Sequence, residues 1–152
     1  MILDSNIREA TLLDFPKLME IRMAVKENTL SDPALIPYDD YVKFCFTHGK
    51  GWVYELDSVI VGFSIVDLLG NNIWALFMDP QFEKKGIGKK LHDTMINWYF
   101  EQTKTAVWLG TEANSRAEQF YRKSGWQDIG LHGKNEIKFE MTYQNWNSSK
   151  TQ

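Results

Sequence analysis

Two apolar runs, IWALFM (Ile73–Met78) and TAVWLGT (Thr105–Thr111), bracket a stretch in which the hydrophobic period changes. Ile87, Leu91, Met95 and Trp98 recur at the spacing of one helix face, which predicts a helix from about Gly86 to Gln102. A strand, a crossover helix and a second strand bring the chain back in its original direction, so the two strands run parallel in one sheet. IWALFM is apolar at every position, the mark of a strand covered on both faces. This unit excludes all-helical and all-β folds and places helices on both sides of a sheet.

The flanking segments fill in the rest. Asn6–Ala10 reads as a first strand. Thr11–Asn28 reads as a helix, with Leu13, Phe15 (or Leu18), Ile21 and Val25 at helical spacing and Pro16 tolerated in the first turn. YDDYVKFCFTHG predicts a second short helix ending at Gly49. Trp52, Tyr54 and Leu56 alternate with more polar neighbours, and Asp57-Ser58 turns the chain into VIVGFSIV, a hairpin. A second turn at Gly70–Asn72 extends this to a three-strand meander that leads into the parallel unit. Beyond Thr111, SRAEQFYRKSG reads as a helix with a Ser115/Glu118 capping box and a terminal Gly125. WQDIGL and NEIKFEMTY form a closing hairpin, and the polar tail after Trp146 is expected to fray. The expected fold is a single α/β domain over residues 1–152, with its core at 6–143 and a polar tail at 147–152. Its mixed sheet is mostly antiparallel, with one parallel strand–helix–strand unit and helices on both faces.

The 152 residues suit one core of ordinary size. A net charge of −3 argues against a nucleic-acid partner, and no apolar run approaches the roughly 20 residues that span a bilayer. The first residues lack the pattern of a secretory signal. A cytoplasmic protein with no membrane association is the expectation. The single cysteine, Cys45, sits in the apolar run YVKFCF and reads as a buried inert thiol. His48, His92 and His132 have no partner at metal-ligand spacing, so no metal is assigned.

Function is concentrated in DPQFEKKGIGKKLHD, Asp79 to Asp93. Gly86 and Gly88 permit close approach to the backbone. The first amides of the following helix have no intrahelical partner, and an anion satisfies both them and the helix dipole. Lys84, Lys85, Lys89 and Lys90 then neutralise a ligand, although the same residues also fit a solvated loop. A Walker loop is excluded because Gly88 is followed by Lys89-Lys90. A dinucleotide fingerprint is disfavoured by Leu91 in place of a third small residue, although Glu112 imitates its ribose-binding acid.

EKKGIGKKL after an apolar strand resembles the acetyl-CoA loop of the GNAT superfamily of N-acetyltransferases, whose pattern is Gln/Arg-x-x-Gly-x-Gly/Ala. NSRAEQFYRKSGW, Asn114 to Trp126, is similar to that superfamily's C-terminal helix, and the order of elements agrees from about Asn6 to Tyr143. The resemblance implies acetyl transfer from acetyl-CoA to an amine, with no metal and with a small-molecule or peptide amine as partner. It implies pantetheine laid against backbone groups of Leu76, Phe77 and Met78. The pyrophosphate would rest on the amides of Lys84, Lys85, Gly86, Ile87, Gly88 and Lys89. Asn114 either contacts the pantetheine arm or is a turn residue. Many relatives pair through sheet edges or C-terminal strands, so a homodimer is open.

By the same resemblance Tyr121 is the general acid that protonates the departing thiolate; its alternative role is core packing. The family's base position falls at Asn72-Ile73-Trp74, and Asn72 cannot accept a proton. Glu27, Glu55 and Glu112 are the remaining carboxylates, with a water chain as the alternative. Arg22, Glu27, Asn28, Trp52 and Trp74 are expected to line the acceptor site, where acid and aromatic groups suit a cationic amine. Glu83 stands where the family has Gln or Arg. Together with Asn72 it favours a second reading, a non-catalytic acyl-CoA-binding module, and a nicotinamide oxidoreductase is a distant third.

Overall fold

The computed structural model of the chain describes residues 4–25, 37–83 and 85–150. Seven strands form one sheet in the order β1-β2-β3-β4-β5-β7-β6. The strands are β1 (Ser5–Glu9), β2 (Gly49–Leu56), β3 (Val59–Asp67), β4 (Asn72–Met78), β5 (Val107–Glu112), β6 (Gln127–His132) and β7 (Glu136–Met141). All neighbours are antiparallel except β4 and β5, which are parallel. The strand–helix–strand unit read from the sequence is therefore present, and the closing hairpin inserts so that β7, not β6, lies beside β5.

Five α-helices flank the sheet: α1 (Phe15–Ala24), α2 (Tyr38–Val42), α3 (Ile87–Gln102), α4 (Arg116–Lys123) and α5 (Tyr143–Lys150). One apolar cluster joins Phe15, Leu18 and Ile21 of α1 and Tyr41 of α2 to Val53, Phe63 and Ile65 of the sheet. The other joins α3, α4 and α5 to Val61, Val66, Leu109 and Phe139. Alternate residues of β3 thus feed opposite cores, the period-two logic of a strand covered on both sides.

Local chemistry sets the connections. Asp57 and Ser58 take positive φ of 48° and 68° in the two-residue loop between β2 and β3, which matches the right-handed twist of the hairpin. Ser115 caps α4 by accepting from the Glu118 amide at 3.1 Å. The Glu118 carboxylate returns to the Asn114 amide at 2.7 Å, one residue further back than an ordinary capping box. Gly125, at φ 90°, ends the helix, with Trp126 N–H donating to the Tyr121 carbonyl.

Three expectations are corrected. The first helix begins at Phe15 after a 3-10 turn at Leu12–Asp14, and Leu13 is 92% exposed rather than core-facing. β4 is not covered on both faces: Ile73 and Ala75 are buried, while Trp74, Leu76, Phe77 and Met78 are half-buried. The tail does not fray after Trp146 but belongs to α5, because Trp146 is buried and donates from Nε1 to Asn97 Oδ1 at 3.0 Å. Among the described residues no helix is long and apolar enough to cross a membrane.

Trp146→Ala removes a large buried ring from under α5 and is expected to cost about 3–5 kcal/mol in urea denaturation. The exposed neighbour Asn147→Ala should stay within about 0.5 kcal/mol.

Candidate active site

The sheet comes apart in its middle. β4 and β5 pair at a single position, Asn72 with Trp108. The Asn72 side chain reinforces that point by donating to the Trp108 carbonyl at 3.1 Å, and Trp108 N–H donates to the Asn71 carbonyl at 2.9 Å. Beyond it Trp74 is an extra residue in β4, since Ile65 pairs with Ala75 and Val66 with Ile73. Such a bulge bends its strand and breaks the ladder. The parting strands leave a cleft of about 720 Å³.

Trp74, Leu76, Phe77 and Met78 line one wall of the cleft; Leu109, Gly110 and Thr111 of β5 line the other. Their facing edges carry backbone N–H and C=O groups that lack the partner strand a sheet normally supplies. A linear ligand with amides of its own would satisfy them as an added strand does.

At one end, Gly86, Ile87, Gly88 and Lys89 face the cleft. Gly86 caps α3 at φ 79°, the left-handed region that glycine adopts without strain, and a Cβ there would meet nothing within 4 Å. Gly88 has the opposite constraint: a Cβ would lie 2.8 Å from the Met78 methyl. The helix start is therefore open to a ligand on one side and closed against β4 on the other. Of the four lysines in the turn, Lys89 lines the cleft and is held by Asp93 at 2.9 Å. Lys90 lies over the Tyr54 ring, Lys85 is exposed and outside the lining, and Lys84 lies outside the described residues. Positive charge comes instead from α4, through Arg116 and Lys123. Arg116 forms an ion pair with Glu83, so the carboxylate that departs from the expected pattern is neutralised in place.

Behind the cleft, α3 and α4 are tied by His92. Its ring is fully buried, Nε2 accepts from Trp126 Nε1–H at 2.9 Å, and Nδ1 lies 2.8 Å from Asp93 Oδ1. The indole can only donate, so the proton sits on Nδ1 and faces the carboxylate. Burial pushes the imidazole below its ordinary value despite Asp93, and it stays neutral. Tyr121 packs against His92, Trp126 and Phe139 and presents part of its side chain to the cleft. Burial raises its phenol, which remains protonated throughout the neutral range.

The acceptor expectations divide. Arg22 and Trp74 line the cleft, with Trp74 stacked on Phe44 and edge-on to Tyr41. Trp52 does not: it is buried against Trp98 of α3. Glu55 is bound to Arg8 at 3.2 Å, and Arg8 also holds Asp14 at 2.8 Å, so Glu55 is structural. Glu112 is exposed at the end of β5 and is not in the lining; Glu27 and Asn28 lie outside the described residues. Asn114 takes φ 63° in the turn before α4 and is likewise outside the lining. One lining carboxylate was missed. Glu136 starts β7 opposite Glu112, and its Oε1 lies 3.0 Å from where a Gly110 Cβ would be. The alternation of NEIKFEMTY separates Glu136, Lys138 and Glu140 from Ile137, Phe139 and Met141, but only the β5–β7 pairing reveals which face meets the cleft.

A sheet split at one bridge, with a glycine-capped helix facing the gap, is the architecture of an acetyltransferase. The family model described as the acetyltransferase (GNAT) family matches residues 15–126, and the chain belongs to that family. It is 25% identical over 150 residues to the peptidyl-lysine N-acetyltransferase YiaC of Escherichia coli K12, covering 92% of this chain and 95% of that one. Its fold superposes with a TM-score of 0.80 on the PaiA N-acetyltransferase of Thermoplasma acidophilum in complex with coenzyme A, at 18% identity, covering 92% of this chain and 99% of that one. A GNAT-family acetyltransferase from Staphylococcus aureus Mu50 gives 0.79 at 21% identity, with coverage of 92% and 99%.

Neutral His92 sets a pH dependence. The unfolded imidazole titrates near 6.5 and the folded one lower, so stability is full above about pH 6.5 and falls as pH drops below it, by at most about 1.4 kcal/mol per pH unit. The depressed carboxylates of Asp14 and Asp93 add their loss only below about pH 4. His92→Gln, which keeps an acceptor for Trp126 and a donor for Asp93, is expected to flatten the decline between pH 7 and 5 in denaturation series.

Proposed function

We propose that the chain transfers the acetyl group of acetyl-CoA to an amine by direct attack on the thioester. The observation that carries this reading is the gap between β4 and β5, open to the start of α3 at Gly86. Pantetheine amides replace the missing strand along Leu76, Phe77 and Met78. The diphosphate lies on the amides of Ile87, Gly88 and Lys89, among Lys89, Arg116 and Lys123. The coenzyme A complex of the PaiA relative supports the same ligand here. The relative named for peptidyl-lysine supports an amine as acceptor.

The chain supplies three things to the reaction. A β4 backbone N–H stabilises the oxyanion that forms when nitrogen attacks the thioester carbon, an effect worth about 3 kcal/mol for one well-placed donor. Glu136, at the β5 side, takes the proton that the amine sheds. As the C–S bond breaks, Tyr121 gives its proton to the thiolate and is reprotonated from solvent. Burial holds the phenol in the protonated form that this step needs. Asn72 takes no part in proton transfer, because its amide holds β4 and β5 together.

Tyr121→Phe should lower kcat at least tenfold, read by thiol release, and leave acetyl-CoA affinity within about twofold by calorimetry. Full activity would remove the acid role. Glu136→Gln should lower kcat/KM at least tenfold at pH 7 and much less at pH 9.5, where more of the amine is already deprotonated. A loss independent of pH would assign Glu136 to binding instead. If acetyl-CoA binds and no amine releases thiol, the transferase reading fails.

A further inference from the structure

Six charged side chains line the cleft, and they divide by place. Lys89, Arg116, Lys123 and Glu83 gather at the start of α3 and on α4, where phosphates are expected. Arg22 stands apart, on α1, in the core of the opposite sheet face. It is only 9% exposed, and its guanidinium lies 4.4 Å from the centre of the Phe77 ring. Among the described residues it has neither a hydrogen bond nor an ion pair, and Nη1 is shut off from water without an acceptor.

That arrangement is costly as it stands. Guanidinium cannot lose its proton in a protein, so burial cannot be relieved by neutralisation. The last turn of α1 offers dipole compensation and Phe77 offers its π face, but neither accepts Nη1–H in a hydrogen bond. Tyr41, the nearest ionisable group recorded for it, is held protonated by burial, its phenol pushed up to about 12. A buried cation of this kind calls for an anion that enters the cleft. The coenzyme's phosphates do not qualify, since their end of the cleft lies on the α3 face. On the other wall stands Glu136, leaning over Gly110.

We infer that Arg22 anchors a carboxylate of the acceptor, so the substrate is an amine carrying a carboxylate within a few bonds of the reacting nitrogen. This rests on the acetyl-transfer reading. The short separation follows from Phe77, which lies under Arg22 and also belongs to the strand edge proposed to hold the thioester. Free amino acids and peptides with an acidic residue at the amino terminus share this chemistry.

The test uses the full chain with acetyl-CoA and matched acceptors: glycine against glycinamide, L-alanine against L-alaninamide, and aspartyl-alanine amide against asparaginyl-alanine amide. The expected result is a kcat/KM at least tenfold higher for the carboxylate member of at least one pair. The pair that responds separates free amino acids from acidic peptides. Arg22→Met, which fills the same space without charge, should raise KM for that acceptor at least tenfold. It should leave the carboxamide and acetyl-CoA binding within twofold, and Arg22→Lys should restore part of the preference. Equal rates within every pair, or a preference that survives Arg22→Met, overturns the inference. If no amine releases thiol from a chain that binds acetyl-CoA, the transfer reading has failed separately. The anchor is then read by titrating N-acetylglycine and N-acetylglycinamide onto coenzyme-A-loaded protein. Tighter binding of the carboxylate, lost in Arg22→Met, supports the anchor; equal binding overturns it.

Discussion

Between Ile73 and Met78 the fourth strand keeps its partner on one side and loses it on the other. Backbone groups without partners are costly where water is excluded, so a protein that opens its sheet must hold the opening by other means. Here three devices act together. The Trp74 bulge bends the strand away, the Asn72 amide fixes the point of divergence, and a separate apolar core on each sheet face supports the two halves. The cleft is therefore a built feature of the sheet and not a space left between domains.

The two faces of that sheet carry different electrostatics. On the α3–α4 side, positive groups are exposed or ion-paired: Lys89 with Asp93 and Arg116 with Glu83. On the α1 side a single buried cation sits among aromatic rings. Solvated charges attract a polyanion without strong geometric demand, whereas a buried one discriminates, because mismatch leaves it unpaired. Coenzyme capture and acceptor choice thus draw on different physics within one cavity.

Much of this was legible in the sequence because it is local. The change of hydrophobic period marked β4, α3 and β5; Gly86 and Gly88 marked the phosphate turn; Ser115, Phe120-Tyr121 and Gly125 marked α4. What escaped depends on neighbours distant in the chain. Arg22 looked like a surface charge on a helix until the packing of α1 buried it. Glu136 was hidden because β7, rather than β6, lies next to β5. Trp52 and Trp74 are alike as residues, yet strand alternation and the bulge send one into the core and the other into the cleft. The tail misled because its polar composition hid one anchoring residue, Trp146.

Helix α3 is fastened along its length, by Lys89 and His92 to Asp93, by His92 to Trp126, and by Asn97 to Trp146. A ligand seated on its first turn therefore acts on an element that α4 and α5 cannot leave independently. Occupancy at Gly86–Lys89 should slow amide hydrogen exchange in α5, a segment whose own backbone never meets the ligand, because opening of that helical face as a unit must first release it. The terminal helix becomes a remote reporter of what the glycine turn holds.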